Sequence, residues 1–262
     1  MEIVRPSAVA GLFYPADAAK LNKQVAADMA ACHADPLLSP KALIVPHAGY
    51  MYSGSVAASA YQHLKPLKNI IKRVVLIGPS HRVPFDGLAI STADWFETPL
   101  GLIAVDRQAE SQIIAIDGVI ALEQAHAREH SLEVQLPFLQ FLLDDFKIVP
   151  IVAGHASPKI IAKVLDKLWG GPETLIVISS DLSHYLDYES AREADAETSQ
   201  AIINLDNRLI DGYHACGSVG INGLILYARQ HNLHGHILDL RNSGDTAGKR
   251  DSVVGYGAYL FQ

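Results

Sequence analysis

Short apolar runs rich in β-branched residues alternate along the chain with longer amphipathic stretches. The clearest runs are continuously apolar, which is typical of strands buried on both faces of a parallel sheet; they occupy residues 42–46, 73–78, 147–153 and 174–180. Two more runs, at residues 88–91 and 102–105, are predicted to form a less buried antiparallel pair. The pattern predicts an α/β fold, a single three-layer αβα domain over residues 1–262 with a central mixed, largely parallel sheet.

Capping residues mark where several helices begin and end. Ser157 and Pro158, closed by Gly170 and Gly171, give an N-cap, a first-turn proline and C-terminal glycines in the favoured order. Asp187 is expected to open a polar helix. Other helices are predicted at about residues 18–32, 53–63 and 219–227, and two last strands at 236–240 and 253–261.

Composition and charge exclude several classes of protein. The 262 residues carry a net charge of −7, from 21 Lys+Arg against 28 Asp+Glu, so neither nucleic acid nor a membrane surface is an expected partner. No apolar run approaches the roughly 18 residues of a membrane span. The 2 cysteines, Cys32 and Cys216, cannot make a disulfide framework, and a cytoplasmic location is expected. The 12 histidines therefore become the residues of interest.

Three histidines follow directly on predicted strands. His47 comes after the run at 42–46 and His81 after the run at 73–78, while the run at 174–180 leads into Asp181 and His184. In an open α/β sheet, ligands bind beyond the carboxyl ends of the strands. Because parallel strands end at the same edge, we expect these side chains to lie close together.

Cys216 is expected to join this group. It lies in a glycine-flanked loop just before an apolar helix, where the helix dipole and nearby imidazoles would favour the thiolate. Two imidazoles and one thiolate suit a late first-row metal such as iron, copper or zinc. Asp181 and His184 would then orient the ligands or act as a general base, and His214 is the neighbour that could tune the thiolate.

Six blocks in order along the chain resemble the Memo family, whose bacterial and archaeal members are called AmmeMemoRadiSam system protein B. They are RPSAVAGLFYP at residues 5–15, PHAGY with YSG at 46–54, GPSH at 78–81, EHSLE at 129–133, SSDLSH at 179–184 and ACG at 215–217. The resemblance implies a fold like that of the class III extradiol ring-cleaving (LigB-like) dioxygenases. It also implies a metal triad of His47, His81 and Cys216, with Asp181 and His184 lining the same pocket.

One departure from the ring-cleaving enzymes shapes the predicted function. Those enzymes hold Fe(II) with two histidines and a carboxylate, whereas Cys216 stands at the position of the carboxylate here. A thiolate is itself oxidisable and favours copper or zinc more than oxygen ligands do. The resemblance therefore implies an iron(II)- or copper-dependent oxidoreductase, with zinc as a third metal, rather than ring cleavage.

The resemblance also bears on substrates and partners. Some family members are described as binding phosphorylated receptor peptides, so the expected substrate is a small molecule or a peptide, and the family label suggests a radical-SAM protein system as a partner. The residues expected around the substrate are Tyr50, Tyr52, Glu129, His130, Tyr185 and His214.

A zinc hydrolase is one alternative. Residues 126–130 match the H-x-x-E-H spacing that places two zinc ligands and a general base on one helical face. The motif needs a continuous helix from His126 to His130. Ser131 and Pro137 instead indicate a helix that begins near His130, and Glu129 and His130 are then expected to lie near the main site or to cap that helix.

A thiol hydrolase is another alternative. Cys216 would be the nucleophile, with His184 or His47 as its base. Asp181 would orient that imidazole, as the acid does in a catalytic triad.

The remaining alternative is a binding module without chemistry. Tyr50, Tyr52 and Tyr185 would line an aromatic pocket, and the metal site would be structural or vestigial. Such a protein would show no turnover when loaded with metal.

Overall fold

The structure, a computed structural model, describes residues 2–262. Its strands are β1 (Val4–Arg5), β2 (Ala42–Val45), β3 (Arg73–Pro79), β4 (Leu88–Ile90), β5 (Trp95–Thr98), β6 (Gly101–Val105), β7 (Val119–Ala121), β8 (Lys147–Ala153), β9 (Thr174–Ser179), β10 (His184–Leu186), β11 (Gly235–Asn242) and β12 (Val253–Phe261). Its α-helices are α1 (Ala18–Ala30), α2 (Tyr50–Tyr61), α3 (Arg107–Ile113), α4 (Glu123–Ala127), α5 (Leu136–Leu142), α6 (Pro158–Leu168), α7 (Tyr188–Ile203), α8 (Ser218–His231) and α9 (Ser243–Thr246). Short 3-10 segments lie at Gln62–Leu67, Glu133–Gln135 and Asn207–Leu209.

The strands form one mixed sheet whose centre is parallel. Strands β8, β3, β9 and β2 are neighbours in that order and all run in the same direction. Antiparallel pairing is confined to the flanks, where β12 joins β2, β11 joins β12, β5 joins β6 and β4 joins β8. The central, largely parallel sheet predicted from the continuous apolar runs is confirmed.

Each central strand buries both of its faces, because successive side chains point to opposite sides of the sheet. On β3, Val74 and Leu76 pack into one hydrophobic core, and Val75 and Ile77 pack into the other. Helices α1, α2 and α5 cover the first core, and α3, α6, α7 and α8 cover the second. The result is the predicted three-layer αβα arrangement.

The antiparallel pair predicted from residues 88–91 and 102–105 is wrong. Strand β6 pairs instead with β5, the strand just before it, across a tight turn closed by Thr98 and Gly101. Along β5 the side chains of Phe96 and Thr98 are buried while Glu97 is exposed, which is the alternation of a strand with one covered face. Strand β4 lies against β8 and β7. The alternation at residues 95–98 is a local signal that the sequence analysis missed, whereas the partners of β4 lie far along the chain and no local pattern predicts them.

Helix starts agree with the sequence where a side chain caps them. Ser157 accepts a hydrogen bond from the backbone N–H of Lys159 at 3.3 Å, and Asp187 accepts one from that of Ser190 at 3.1 Å. Helix α2 begins at Tyr50, three residues before its predicted start. Gly49 has no side chain to cap the helix, and the N–H of Tyr50 donates instead to the carbonyl of Phe13 at 2.7 Å. Phe13 is far along the chain, so no local sequence pattern predicts this start.

Within residues 2–262, none of the helices combines the length and the apolar composition that crossing a membrane requires.

Candidate metal centre

The carboxyl ends of three neighbouring parallel strands carry the candidate side chains. His47 follows β2 by two residues, Asp181 follows β9 and His81 follows β3. Because β9 lies between β2 and β3, these residues meet at one edge of the sheet. Cys216 reaches the same edge from the loop before α8. The convergence predicted from the sequence is present.

His47, His81 and Cys216 form a compact set of possible ligands. One ring nitrogen of each histidine and the sulfur lie within 4.8 Å of one another. The sulfur of Cys216 is 3.3 Å from Nε2 of His47, and the two imidazole rings are 5.2 Å apart at their centres. Two imidazoles and one thiolate match the donors preferred by copper, zinc and iron.

The tautomer of His47 follows from its neighbours. Ser179 Oγ donates its single proton to the carbonyl of Ser131 at 2.6 Å and accepts from the amide of Gln135 at 2.8 Å. His47 Nδ1, 2.9 Å from the same oxygen, must therefore be the protonated nitrogen, and Nε2 keeps its lone pair. Burial, together with the imidazoles of His81 and His130, holds the pKa of His47 well below its usual range. The ring is neutral and can bind a cation through Nε2.

Glu129 orients His81 in a similar way. Its carboxylate accepts from Nδ1 of His81 at 2.9 Å and from the backbone N–H of His81 at 2.6 Å. It also accepts from the backbone N–H groups of His130 and Ser131. Burial acts to raise the pKa of Glu129, but the His130 and His81 side chains and these N–H donors hold it well below its usual range. A buried carboxylate on Nδ1 leaves Nε2 of His81 as the ligating nitrogen.

Gly217 allows the Cys216 loop to approach the end of β9. A β-carbon at position 217 would lie 2.6 Å from Cβ of Ser180 and 2.7 Å from the carbonyl oxygen of Ser179, closer than real contacts allow. With glycine there, the backbone N–H of Asp181 donates to the sulfur of Cys216 at 3.3 Å. The loop thus places the sulfur beside the histidines.

The expectation that the helix dipole makes Cys216 a thiolate is wrong for the metal-free chain. Burial raises the pKa of the Cys216 thiol to about 12, and the carboxyl of Asp181 adds to the effect. The backbone N–H of Asp181, which donates to the sulfur, and the nearby Ser180 and Gly217 act in the opposite direction but do not compensate. A cation would have to displace the thiol proton to bind.

A cavity of about 610 Å³ opens over the imidazoles. Seven of its lining residues were expected from the sequence: His47, His81, His130, Asp181, His184, Tyr52 and Tyr185. Among those not expected are Phe13, Arg82, Lys249 and Tyr256. Arg82 could have been found as the neighbour of His81, but Lys249 and Tyr256 come from the C-terminal part of the chain and only the fold brings them here.

Asp181 and His184 reach the cavity in different ways. Asp181 is buried, accepts from the backbone N–H of His47 at 2.7 Å, and has its pKa raised by that burial. His184 is half-buried in the wall. Tyr185 next to it is 77% exposed and has a φ of 61°, a left-handed conformation that is unfavourable for a tyrosine. Strain of this kind tends to occur at functional sites.

The family model for Memo-like proteins matches residues 5–260. The chain belongs to the Memo family. A MEMO1 family protein of Aquifex aeolicus is 36% identical over 271 residues, covering 98% of this chain and 99% of the relative. MEMO1 family proteins of Sulfolobus acidocaldarius and Ignicoccus hospitalis are 34% and 37% identical, each alignment covering 99% of both chains. The recognition from six sequence blocks is confirmed, whereas the likeness to ring-cleaving dioxygenases stays a prediction.

Three residues expected around the substrate lie outside the cavity of this Memo-family chain. Tyr50 is in the hydrophobic core, where its hydroxyl donates to the carbonyl of Val134 at 2.7 Å. His214 faces Asp211, with Nδ1 2.7 Å from the carboxylate. Glu129 is only 1% exposed, and its carboxylate accepts a hydrogen bond from Nδ1 of His81.

The H-x-x-E-H segment does not form the helical face that a zinc protease needs. Helix α4 ends at Ala127, and the next helical segment, a 3-10 turn, begins only at Glu133. His126 is 1% exposed and lies 3.0 Å, through Nε2, from the carbonyl of Ala89. Of the two histidines in the motif, only His130 lines the cavity over the imidazoles.

Proposed function

We propose that this Memo-family protein is an oxidoreductase that binds iron or copper through His47, His81 and Cys216. The observation that carries the proposal is the approach of two imidazole nitrogens and one sulfur to within 4.8 Å of one another, with both histidines lining an open cavity. The tautomers support it, because Ser179 and Glu129 each accept a hydrogen bond from Nδ1 of one histidine and leave the lone pair of Nε2 free. Zinc fits the same donors and is the third metal to test.

The surrounding residues can bind a substrate and move a proton. Iron or copper, when bound, would supply one-electron redox chemistry. His184 lines the cavity and is the side chain placed to accept or donate a proton there, while Asp181 holds the backbone of His47. The cations of Arg82 and Lys249 favour a small molecule or peptide that carries negative charge.

Metal content is the direct test. Protein purified under reducing conditions is compared with His81→Ala and Cys216→Ala. Cys32→Ala is the matched cysteine control, because Cys32 contacts α2 and does not line the cavity. We expect about one iron or copper per wild-type chain and per control chain, and loss of most of it in the two site variants. Near-zero wild-type occupancy, or equal occupancy in all four proteins, contradicts the proposal.

Turnover separates the oxidoreductase from the binding module. The metal-loaded protein is supplied with catechols, thiols or peroxide while oxygen consumption and product formation are followed. Turnover that disappears in His81→Ala supports the oxidoreductase hypothesis. A loaded protein that binds these compounds without turning them over supports the non-catalytic alternative.

A thiol hydrolase is the second candidate, favoured by the 3.3 Å approach of His47 Nε2 to the Cys216 sulfur. Two observations weigh against it. His47 Nδ1 is held by Ser179 rather than by a carboxylate, and burial raises the pKa of the thiol to about 12. Alkylation decides between the two: protection of Cys216 only in the metal-loaded protein supports a ligand, whereas equal, rapid labelling with and without metal supports a nucleophile.

The family label also leads us to propose a radical-SAM protein as a partner and the cytoplasm as the location. Mixing the two purified proteins and measuring their association by analytical ultracentrifugation tests the partner. Fractionation of cells that express the chain tests the location.

A further inference from the structure

A second cavity, of about 250 Å³, lies against Cys216. It lies near the end of β3, the end of β8 and the start of α8. Within residues 2–262 it shares no lining residue with the larger cavity over the imidazoles. The sulfur-bearing residue and the two histidines therefore face different spaces.

The end of β3 and the residues just after it contribute to both cavities. Pro79 and Ser80 line the small cavity, whereas the next residue, His81, lines the large one. Cys216 lines the small cavity and places its sulfur within 4.8 Å of the ligating nitrogens of His47 and His81. The three possible ligands therefore lie at the boundary between the small cavity and the large one.

The walls of the small cavity suit an uncharged occupant. Apolar side chains dominate them: Ile77, Val83, Phe85, Ala153 and Val219. Ser80 Oγ already donates to the carbonyl of Val83 at 2.6 Å, so its proton is not offered to a ligand. Among the lining residues, which all fall within 2–262, the ionisable side chains are Cys216 and His155, and His155 is 96% exposed beside Asp86. A charged molecule would find no partner in the interior.

The volume suits a small molecule. An apolar cavity of about 150 Å³ can hold a benzene ring or a xenon atom. We propose that the small cavity admits a small, uncharged, apolar molecule, between xenon and benzene in size, and brings it into contact with Cys216 by a route separate from the cavity of the imidazoles. The proposal does not depend on which metal is bound or on whether the protein turns over a substrate.

Xenon is the probe, and methyl NMR of the purified protein as isolated is the measurement. We expect xenon saturation to shift the methyl signals of Val219 and Ala153 in the small cavity while leaving those of Ala48 and Val254, which line the large one, in place. Sodium formate, a charged probe of similar size, is expected to leave the small-cavity signals unmoved.

Filling the cavity supplies the matched comparison. Val219→Phe places a ring in the small cavity, and Val83→Phe does so from another lining position should the first variant fail to fold. Val4→Phe makes the same substitution at a 41% exposed position on the edge strand β1. The xenon shift of the Ala153 methyl is expected to fall at least fivefold in the cavity variants and to stay at the wild-type value in Val4→Phe.

Four outcomes would overturn the proposal. They are no shift at either cavity, shifts of similar size at both, a formate response equal to that of xenon, and an undiminished Ala153 shift in folded Val219→Phe or Val83→Phe. A selective xenon response that the cavity variants abolish, and that Val4→Phe keeps, supports it.

Discussion

Nε2 of His47 lies 3.3 Å from the sulfur of Cys216, although 169 positions separate the two residues along the chain. Because Ser179 binds the opposite nitrogen of the imidazole, the atom that faces the sulfur carries a lone pair. The pair can share a proton in the metal-free chain or a cation when metal is bound. This geometry is the basis for treating the two residues as co-ligands rather than as neighbours in a loop.

Glu129→Gln should weaken metal binding without removing a ligand. The change keeps the size of the side chain but removes the negative charge that orients His81. Loss of such a supporting carboxylate costs roughly 10–100-fold in metal affinity. Competition with a chelator measures the affinity, with Glu97→Gln as the exposed control on β5. An affinity equal to that of the control would show that Glu129 plays no part in positioning His81.

Gly217→Ala should displace the loop that carries Cys216. The new β-carbon would stand 2.6 Å from Cβ of Ser180, and overpacking of this kind costs about 1–3 kcal/mol. We expect a lower free energy of unfolding and reduced metal content. Gly212→Ala is the matched control, because a β-carbon at position 212 meets no atom within 4 Å. Equal stability and metal content in both variants would contradict the close-packing account.

Arg5→Met should strongly destabilise the fold. Arg5 is 2% exposed, forms an ion pair with the fully buried Glu133, and donates to the carbonyls of His126 and Glu129. Removing one member of a buried ion pair leaves an uncompensated charge and costs about 3–5 kcal/mol.

The measurement for Arg5 is unfolding by urea, with Lys68→Met as the control, since Lys68 is 50% exposed in its pair with Asp144. Surface pairs contribute about 0–1 kcal/mol. A loss for Arg5→Met no larger than that of the control would refute the view that this ion pair anchors the N-terminal segment to the loop that contains Glu129.

Asp28→Asn should stabilise the protein in a pH-dependent way. Burial raises the pKa of Asp28 to about 6, and its Oδ2 atom has no hydrogen-bond partner in the described part of the chain. The folded state therefore holds a proton that the unfolded state releases between about pH 4 and 6, so the wild-type protein loses stability as the pH rises through that window.

An asparagine at position 28 carries no charge at any pH and avoids this loss. The variant should be more stable than wild type at pH 7.5, by about 1 kcal/mol, a typical size for a single substitution, and the difference should shrink at pH 4. Urea unfolding at both pH values measures it, with the exposed Asp144→Asn as the control. A difference that does not change with pH would contradict the assignment.

Local pattern was sufficient for much of the fold. The run at 147–153 became β8 with the same bounds, and the cap at Ser157 placed the start of α6 correctly, because burial on both faces and side-chain capping act over a few residues. The partner of β6 was wrong because residues 95–98, which form a tight hairpin with β6, were not recognised as a strand. The start of α2 was missed for a different reason, since the carbonyl of Phe13, far along the chain, stabilises it.

For the candidate site, the sequence by itself determined which donor atoms stand at the ends of neighbouring strands: His47, His81, Asp181 and, before α8, Cys216. Only the tertiary structure decided their chemical state. The neutral ring of His47 depends on burial and on Ser179, and the protonated thiol depends on burial beside Asp181. Desolvation and long-range hydrogen bonds set charge, and both arise only when segments more than a hundred residues apart pack together.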